Sequence, residues 1–178
     1  MNDPHTTFSA LEVPLDRDLF MRSLIRELSS VLEDVVGLEH TIGFISMVGQ
    51  TMGDQIGAHY KEALGASKLT RPQVTEALLD LKHRIAGDFY LITQTDEQIT
   101  MGCRACPFGD KVLDRRSMCM MTSNVFGTIT SQNLGYAKVE LAETIAAGDT
   151  ECLVKVHLTL SDELDQVEGR EYFSDDDE

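Results

Sequence analysis

The sequence predicts an α+β fold, a single domain with N-terminal helices packed on a roughly four-stranded antiparallel sheet. Apolar residues recur every three to four positions between residues 16 and 85, then alternate every second position from Phe89. One more helical stretch lies between two strand pairs, giving the order helix-helix-helix-hairpin-helix-hairpin. With 178 residues and 42% hydrophobic content, the chain suits one core.

Residues 1–14 carry no periodicity and are expected to form a flexible arm, followed by the domain over residues 15–160. The first helix starts near Asp16. Leu19, Phe20, Leu24, Ile25, Leu28, Val31, Leu32 and Val35 follow the helical spacing, and Gly37 suits the stop. Arg17, Arg22, Arg26 and Glu33 lie off that stripe. A second helix is expected over residues 41–64, with an apolar line of Ile45, Val48, Met52, Ile56 and Tyr60. On it Gly49, Gly53 and Gly57 recur four apart and form one bare ridge. Each glycine costs a helix about 1 kcal/mol relative to alanine. Such a ridge suits a close backbone approach, either a tight crossing within the chain or a two-fold dimer contact.

The third helix opens with Thr70-Arg71-Pro72-Gln73, a capping box with proline in the first turn. Val74, Leu78, Leu81 and Ile85 are its expected buried line, and Gly87 closes it. Residues 89–93 read as a strand, 94–97 as a turn and 98–101 as the hairpin partner. A fourth helix is expected over residues 117–132, with Leu134-Gly135 as exit. Val139 and Leu141 begin a third strand, and residues 151–160 form a fourth, placing Cys152, Val154, Val156, Leu158 and Leu160 on its core face. Residues 161–178 read as an acidic C-terminal tail after a short helix.

The formal net charge is -15, which opposes nucleic acid and anionic membrane surfaces as partners. No run approaches the roughly 18 apolar residues of a membrane span, and the N-terminus lacks the features of a secretory signal. A cytoplasmic protein is expected.

All four cysteines fall between Cys103 and Cys152, spaced C-x2-C-x12-C-x32-C. Four thiols at the ends of different elements could hold zinc or an iron–sulfur cluster, act as a redox pair, or fill a core. Cys119 is expected in the first turn of the fourth helix, where the macrodipole and Arg115 and Arg116 would favour a thiolate. Cys103 is recommended by spacing alone. His40, His59 and His83 suit helix surfaces, His5 lies in the arm, and His157 falls on the strand face opposite Cys152. Met118, Met120 and Met121 bracket Cys119, and core filling is their commoner use. None of the nucleophile-elbow, zinc-protease, phosphate-loop or dinucleotide motifs is present, so an enzyme is not expected.

The runs C-P-F-G-D-K-V, S-M-C-M-M-T-S-N-V-F-G, N-L-G-Y-A-K-V-E-L, E-T-I-A-A-G-D and E-C-L-V-K-V resemble the methanogen output domain family. Upstream, L-D-R-D-L-F, L-E-D-V-V-G-L, G-F-I-S-M-V-G-Q and G-D-F-Y-L-I are similar to its stand-alone bacterial members, so the resemblance spans residues 13–173. That family is similar in layout to the 4-vinyl reductase domain, a small-molecule-binding α+β fold. The resemblance implies a sensory or output part of signal transduction. It implies Cys106, Cys119 and Cys152 as the site, while Cys103 departs from the family pattern. With no DNA-binding or kinase module in the sequence, output is expected through a protein partner. The expected function is a signal-transduction module binding a metal, cluster or small ligand through these cysteines. The alternative is a ligand-free, homodimeric interaction domain with core cysteines.

Overall fold

The structure, a computed structural model, describes residues 11–174. The first ten residues of the expected arm and residues 175–178 of the expected tail lie outside the described residues. Four α-helices and five strands follow in the order α1 (Arg17–Val36), α2 (Leu38–Leu64), α3 (Arg71–Arg84), β1 (Phe89–Gln94), β2 (Gln98–Cys103), α4 (Arg116–Leu134), β3 (Tyr136–Glu143), β4 (Cys152–His157) and β5 (Arg170–Phe173). The class is α+β, as expected.

Local signals set the helix ends. The Asp16 carboxylate accepts from the Leu19 N–H at 2.8 Å and caps α1. Gly37, with φ 81°, is the single residue between α1 and α2, so α2 begins three residues earlier than expected. At α3 the Gln73 side-chain oxygen accepts from the Thr70 N–H at 2.9 Å, one half of the capping box.

The strands form one antiparallel sheet in the order β1-β2-β4-β3-β5. The fifth strand corrects both the four-strand expectation and the reading of residues 161–178 as a tail. The segment Arg-Glu-Tyr-Phe is short and half charged, so periodicity does not mark it. It forms because the outer edge of β3 offers it hydrogen-bonding partners, with Ala137 opposite Tyr172, and because the Tyr172 ring sits over Gly127 of α4, where a Cβ would collide with it. Leu160, expected on the core face of the last strand, lies beyond β4 and is exposed.

One sheet face holds the core: Phe89, Ile99, Met101, Cys103, Ala137, Val139, Val154 and Val156 are buried there with Leu78, Phe126 and Ile129. The other face is polar. On it Glu140 accepts from Lys155 at 2.9 Å and pairs with His157 at 3.0 Å, and His157 is buried.

Helix α4 lies between the sheet and α2, packed against β3 and β5 on one side and α2 on the other. The α2 residues turned inward are Thr41, Ser46, Gly49, Gly53 and Gly57. A Cβ added at Gly49 would stand 2.7 Å from Asn124 Cβ, and one at Gly53 would stand 2.8 Å from Thr128 Cβ. The glycine ridge therefore faces α4 of its own chain. The apolar side of α2, with Phe44, Met47, Val48 and Met52, faces out. Helix α1 is oriented the same way. Phe20 is 53% exposed and Val35 75% exposed, while Ser29 is buried and Arg22, Arg26, Ser30 and Glu33 turn toward the body. On α3, Lys82 rather than Ile85 completes the buried line, and Ile85 is exposed.

Candidate functional site

Four separate pieces of backbone bring the cysteines together. Cys103 is the last residue of β2 and Cys152 the first of β4, directly opposite in the antiparallel register. Cys106 follows in the loop that leaves β2, and Cys119 stands in the first turn of α4. All four line one cavity of about 30 Å³ with Phe89, Pro107, Phe108, Val112, Met118 and Thr122. That volume accommodates one or two waters or a comparably small group. A wider apolar groove of about 380 Å³ between α2 and α3, lined by Ile56, Tyr60 and Leu81, carries no thiol.

Lys82 is the residue that the periodicity of α3 did not mark as functional. It is only 4% exposed. Its ammonium donates to Thr122 Oγ1 at 2.7 Å and lies 5.1 Å from the ring centres of both Phe89 and Phe126. Burial pulls its pKa down to about 8, against the pull of the four surrounding cysteines. Its signal in the sequence was position: Lys82 stands four residues beyond Leu78, on the buried line.

The thiols differ in acidity. Burial pushes Cys119 up to about 12. This corrects the expected thiolate: loss of solvation outweighs the helix start and Arg116. Burial also raises Cys106. Cys152 is held low by the neighbouring Cys103 thiol and by the Ile145 N–H, which donates to its sulfur at 3.3 Å. Cys103 is correspondingly raised by Cys152 and by burial, and its S–H donates to the Ala105 carbonyl at 3.2 Å.

Among the described residues, no group of three or more His, Cys, Asp or Glu is placed to hold a metal ion. The four thiols line one small cavity. No helix among the described residues is long and apolar enough to cross a membrane.

The loop over residues 104–115 closes the cavity from one side with Cys106, Pro107, Phe108 and Val112. Its other side holds α1. Arg26 donates to the Lys111 and Leu113 carbonyls at 2.7 and 2.8 Å, and Arg22 to the Phe108 carbonyl at 3.4 Å. Arg115 in turn donates to Ser30 Oγ at 2.8 Å, and Ser117 to Glu33.

The family model described as methanogen output domain 1 matches residues 24–157. No curated protein matches the chain. Among solved structures, it is similar to a trafficking protein particle complex subunit 3 from Naegleria fowleri covalently bound to palmitic acid. That match has 12% identity and a TM-score of 0.59, covering 80% of this chain and 95% of that one. It is also similar to the phenol-responsive sensory domain of the transcription activator PoxR with phenol, at 16% identity and a TM-score of 0.61, covering 88% of this chain and 79% of that one. At such identities the likeness is one of fold. The family match spans most of the chain, and the chain belongs to the methanogen output domain 1 family.

Proposed function

We propose that this methanogen output domain is a non-enzymatic signalling module whose responsive site is the cysteine-lined cavity. A small ligand seated against Cys103, Cys106, Cys119 and Cys152 alters the loop over residues 104–115. That loop carries the change to α1, and the outward face of α1 and α2 presents it to a protein partner. One observation carries this reading: the same short loop walls the cavity and supplies the carbonyls that hold Arg22 and Arg26. The fold's likeness to a phenol-responsive sensory domain supports a small-molecule trigger.

The cavity's lining of thiols, Phe89, Phe108, Val112, Met118 and Val154 suits a small, largely apolar molecule. It is too confined for a long acyl chain without movement of the loop, so the palmitic acid of the trafficking subunit is a weaker guide. The outward faces of α1 and α2 carry Phe20, Leu24, Leu28 and Val31, and Phe44, Met47 and Val48. Exposed apolar surface of this extent marks an interaction site. The net charge of -15 repels a second copy, so a homodimer over these helices would rest on the apolar contact alone.

The test is native mass spectrometry of protein purified anaerobically with reductant, with elemental analysis of the same sample. A co-purifying small mass is expected in the parent and absent from Cys106→Ser and Cys119→Ser. Removing it should raise hydrogen exchange in residues 104–115 and α1. A parent that carries no such mass would count against the ligand, and stoichiometric zinc or iron would replace it with a metal.

A further inference from the structure

We infer that Cys103 and Cys152 are a redox pair that a small hydroperoxide converts to a cross-strand disulfide. This names a second input to the cavity proposed above as the responsive site, and rests on that placement but not on any bound ligand.

The register makes the pair. Ile99 faces Val156, Met101 faces Val154, and the series ends with Cys103 opposite Cys152. Directly opposed residues of antiparallel strands have Cα atoms about 4.5 to 5.5 Å apart. A disulfide needs about 4.4 to 6.8 Å, so the bond can close without moving either strand far. Cys106 and Cys119 have no such partner, since one lies in a loop and the other on a helix.

The surroundings divide the roles. Cys152 is partly exposed, lines the cavity, and accepts the Ile145 N–H, with the Lys82 ammonium also favouring its thiolate. Cys103 is 1% exposed and keeps its proton. The Cys152 thiolate therefore attacks the peroxide oxygen. The O–O bond breaks, the leaving oxygen departs as water or an alcohol after taking up a proton, and Cys152 becomes a sulfenic acid. The Cys103 sulfur then attacks Cys152. Its proton leaves with the hydroxyl as a second water, and the S–S bond forms. The two thiols lose two electrons and the peroxide gains them.

The bond would also remove two sulfur contacts. The Cys103 S–H no longer serves the Ala105 carbonyl, and the Cys152 thiolate no longer serves Ile145 N–H. Ala105 lies in the loop that carries the anchors of α1, so the disulfide would act on the same surface as a ligand.

The test treats the fully reduced, ligand-stripped chain with one equivalent of hydrogen peroxide, blocks remaining thiols, and maps peptides without reduction. The expected product has lost two hydrogens and joins Cys103 to Cys152. Cys103→Ser should stop at a sulfenic acid that dimedone captures on Cys152, and Cys152→Ser should consume peroxide about tenfold more slowly. A disulfide joining other cysteines, or parent-like oxidation of Cys152→Ser, would overturn the inference. So would a folded parent inert to peroxide that the urea-unfolded chain consumes. Because the sample is ligand-stripped, a chain that closes this bond yet carries no small molecule when purified would sink only the ligand, and the reverse result only the pair.

Discussion

Helices α2 and α4 cross at close range and solve opposite problems. Helix α4 is enclosed on nearly every side and buries Ser123, Asn124, Thr128, Thr130, Ser131 and Asn133. Most of these polar groups have partners: Asn124 donates to Ser46 Oγ and the Met120 carbonyl, Ser123 pairs with Tyr172, and Asn133 accepts from the Leu69 N–H at 2.7 Å. Helix α2 offers glycines and small polar residues to α4 and turns phenylalanine, methionine and valine to solvent, as α1 does. In α4, burial is made tolerable by hydrogen bonds. In α1 and α2, apolar area is left uncovered, which a chain tolerates when another surface covers it. A helix's apolar stripe thus marks where contact is needed, and only the neighbours decide whether that contact lies within the chain.

Four changes would break or sharpen this contrast. Gly53→Leu drives a branched side chain into Thr128 on the closed side of α2, and should cost about 3 kcal/mol or more in urea unfolding. A loss within the ±0.5 kcal/mol of ordinary surface substitutions would mean that the ridge is not packed as described. Lys82→Met tests the enclosed layer through pH. The folded ammonium titrates near 8, below the roughly 10.4 of an unfolded lysine. Between these values the unfolded chain holds a proton that the folded chain has released, so Lys82 makes the parent gain stability as pH rises. Lys82→Met removes that contribution. It should be the more stable protein at pH 7, by up to about 3 kcal/mol, and the difference should shrink through pH 8 to 10. A gap that does not vary with pH would mean that Lys82 is solvated.

Arg26→Ala cuts two bonds between α1 and the cavity loop and should cost about 1 kcal/mol. Faster hydrogen exchange is expected in α1 and residues 104–115 together; faster exchange in α1 alone would disconnect the two. Leu28→Glu with Val48→Glu, on the open side, should change unfolding by no more than about 0.5 kcal/mol. Self-association, read by sedimentation, should weaken at least tenfold, about 1.4 kcal/mol. A monomeric parent would remove the second copy as the covering partner and leave the face to another protein.

Much was legible locally. The class, the four helices and the strands of the two hairpins followed from periodicity, and the Thr70–Gln73 signal and Gly37 located two helix ends. The strand register later brought Cys103, the cysteine supported only by spacing, directly opposite Cys152. Lys82 was missed because a lysine at a buried spacing reads as an interruption of the line, and it is the aromatic and thiol neighbours from β1 and α4 that make its burial possible. The acidity of Cys119 was misjudged for a related reason: helix position is a local property and burial is not.

By itself the sequence determined what each segment can be, since helix caps, turn glycines and the two periods act over a few residues. Tertiary structure decided which side of each helix faces inward, that β3 has a free edge for β5 to occupy, and which thiols meet. Those depend on contacts between residues far apart in the chain, and local spacing carries no record of them.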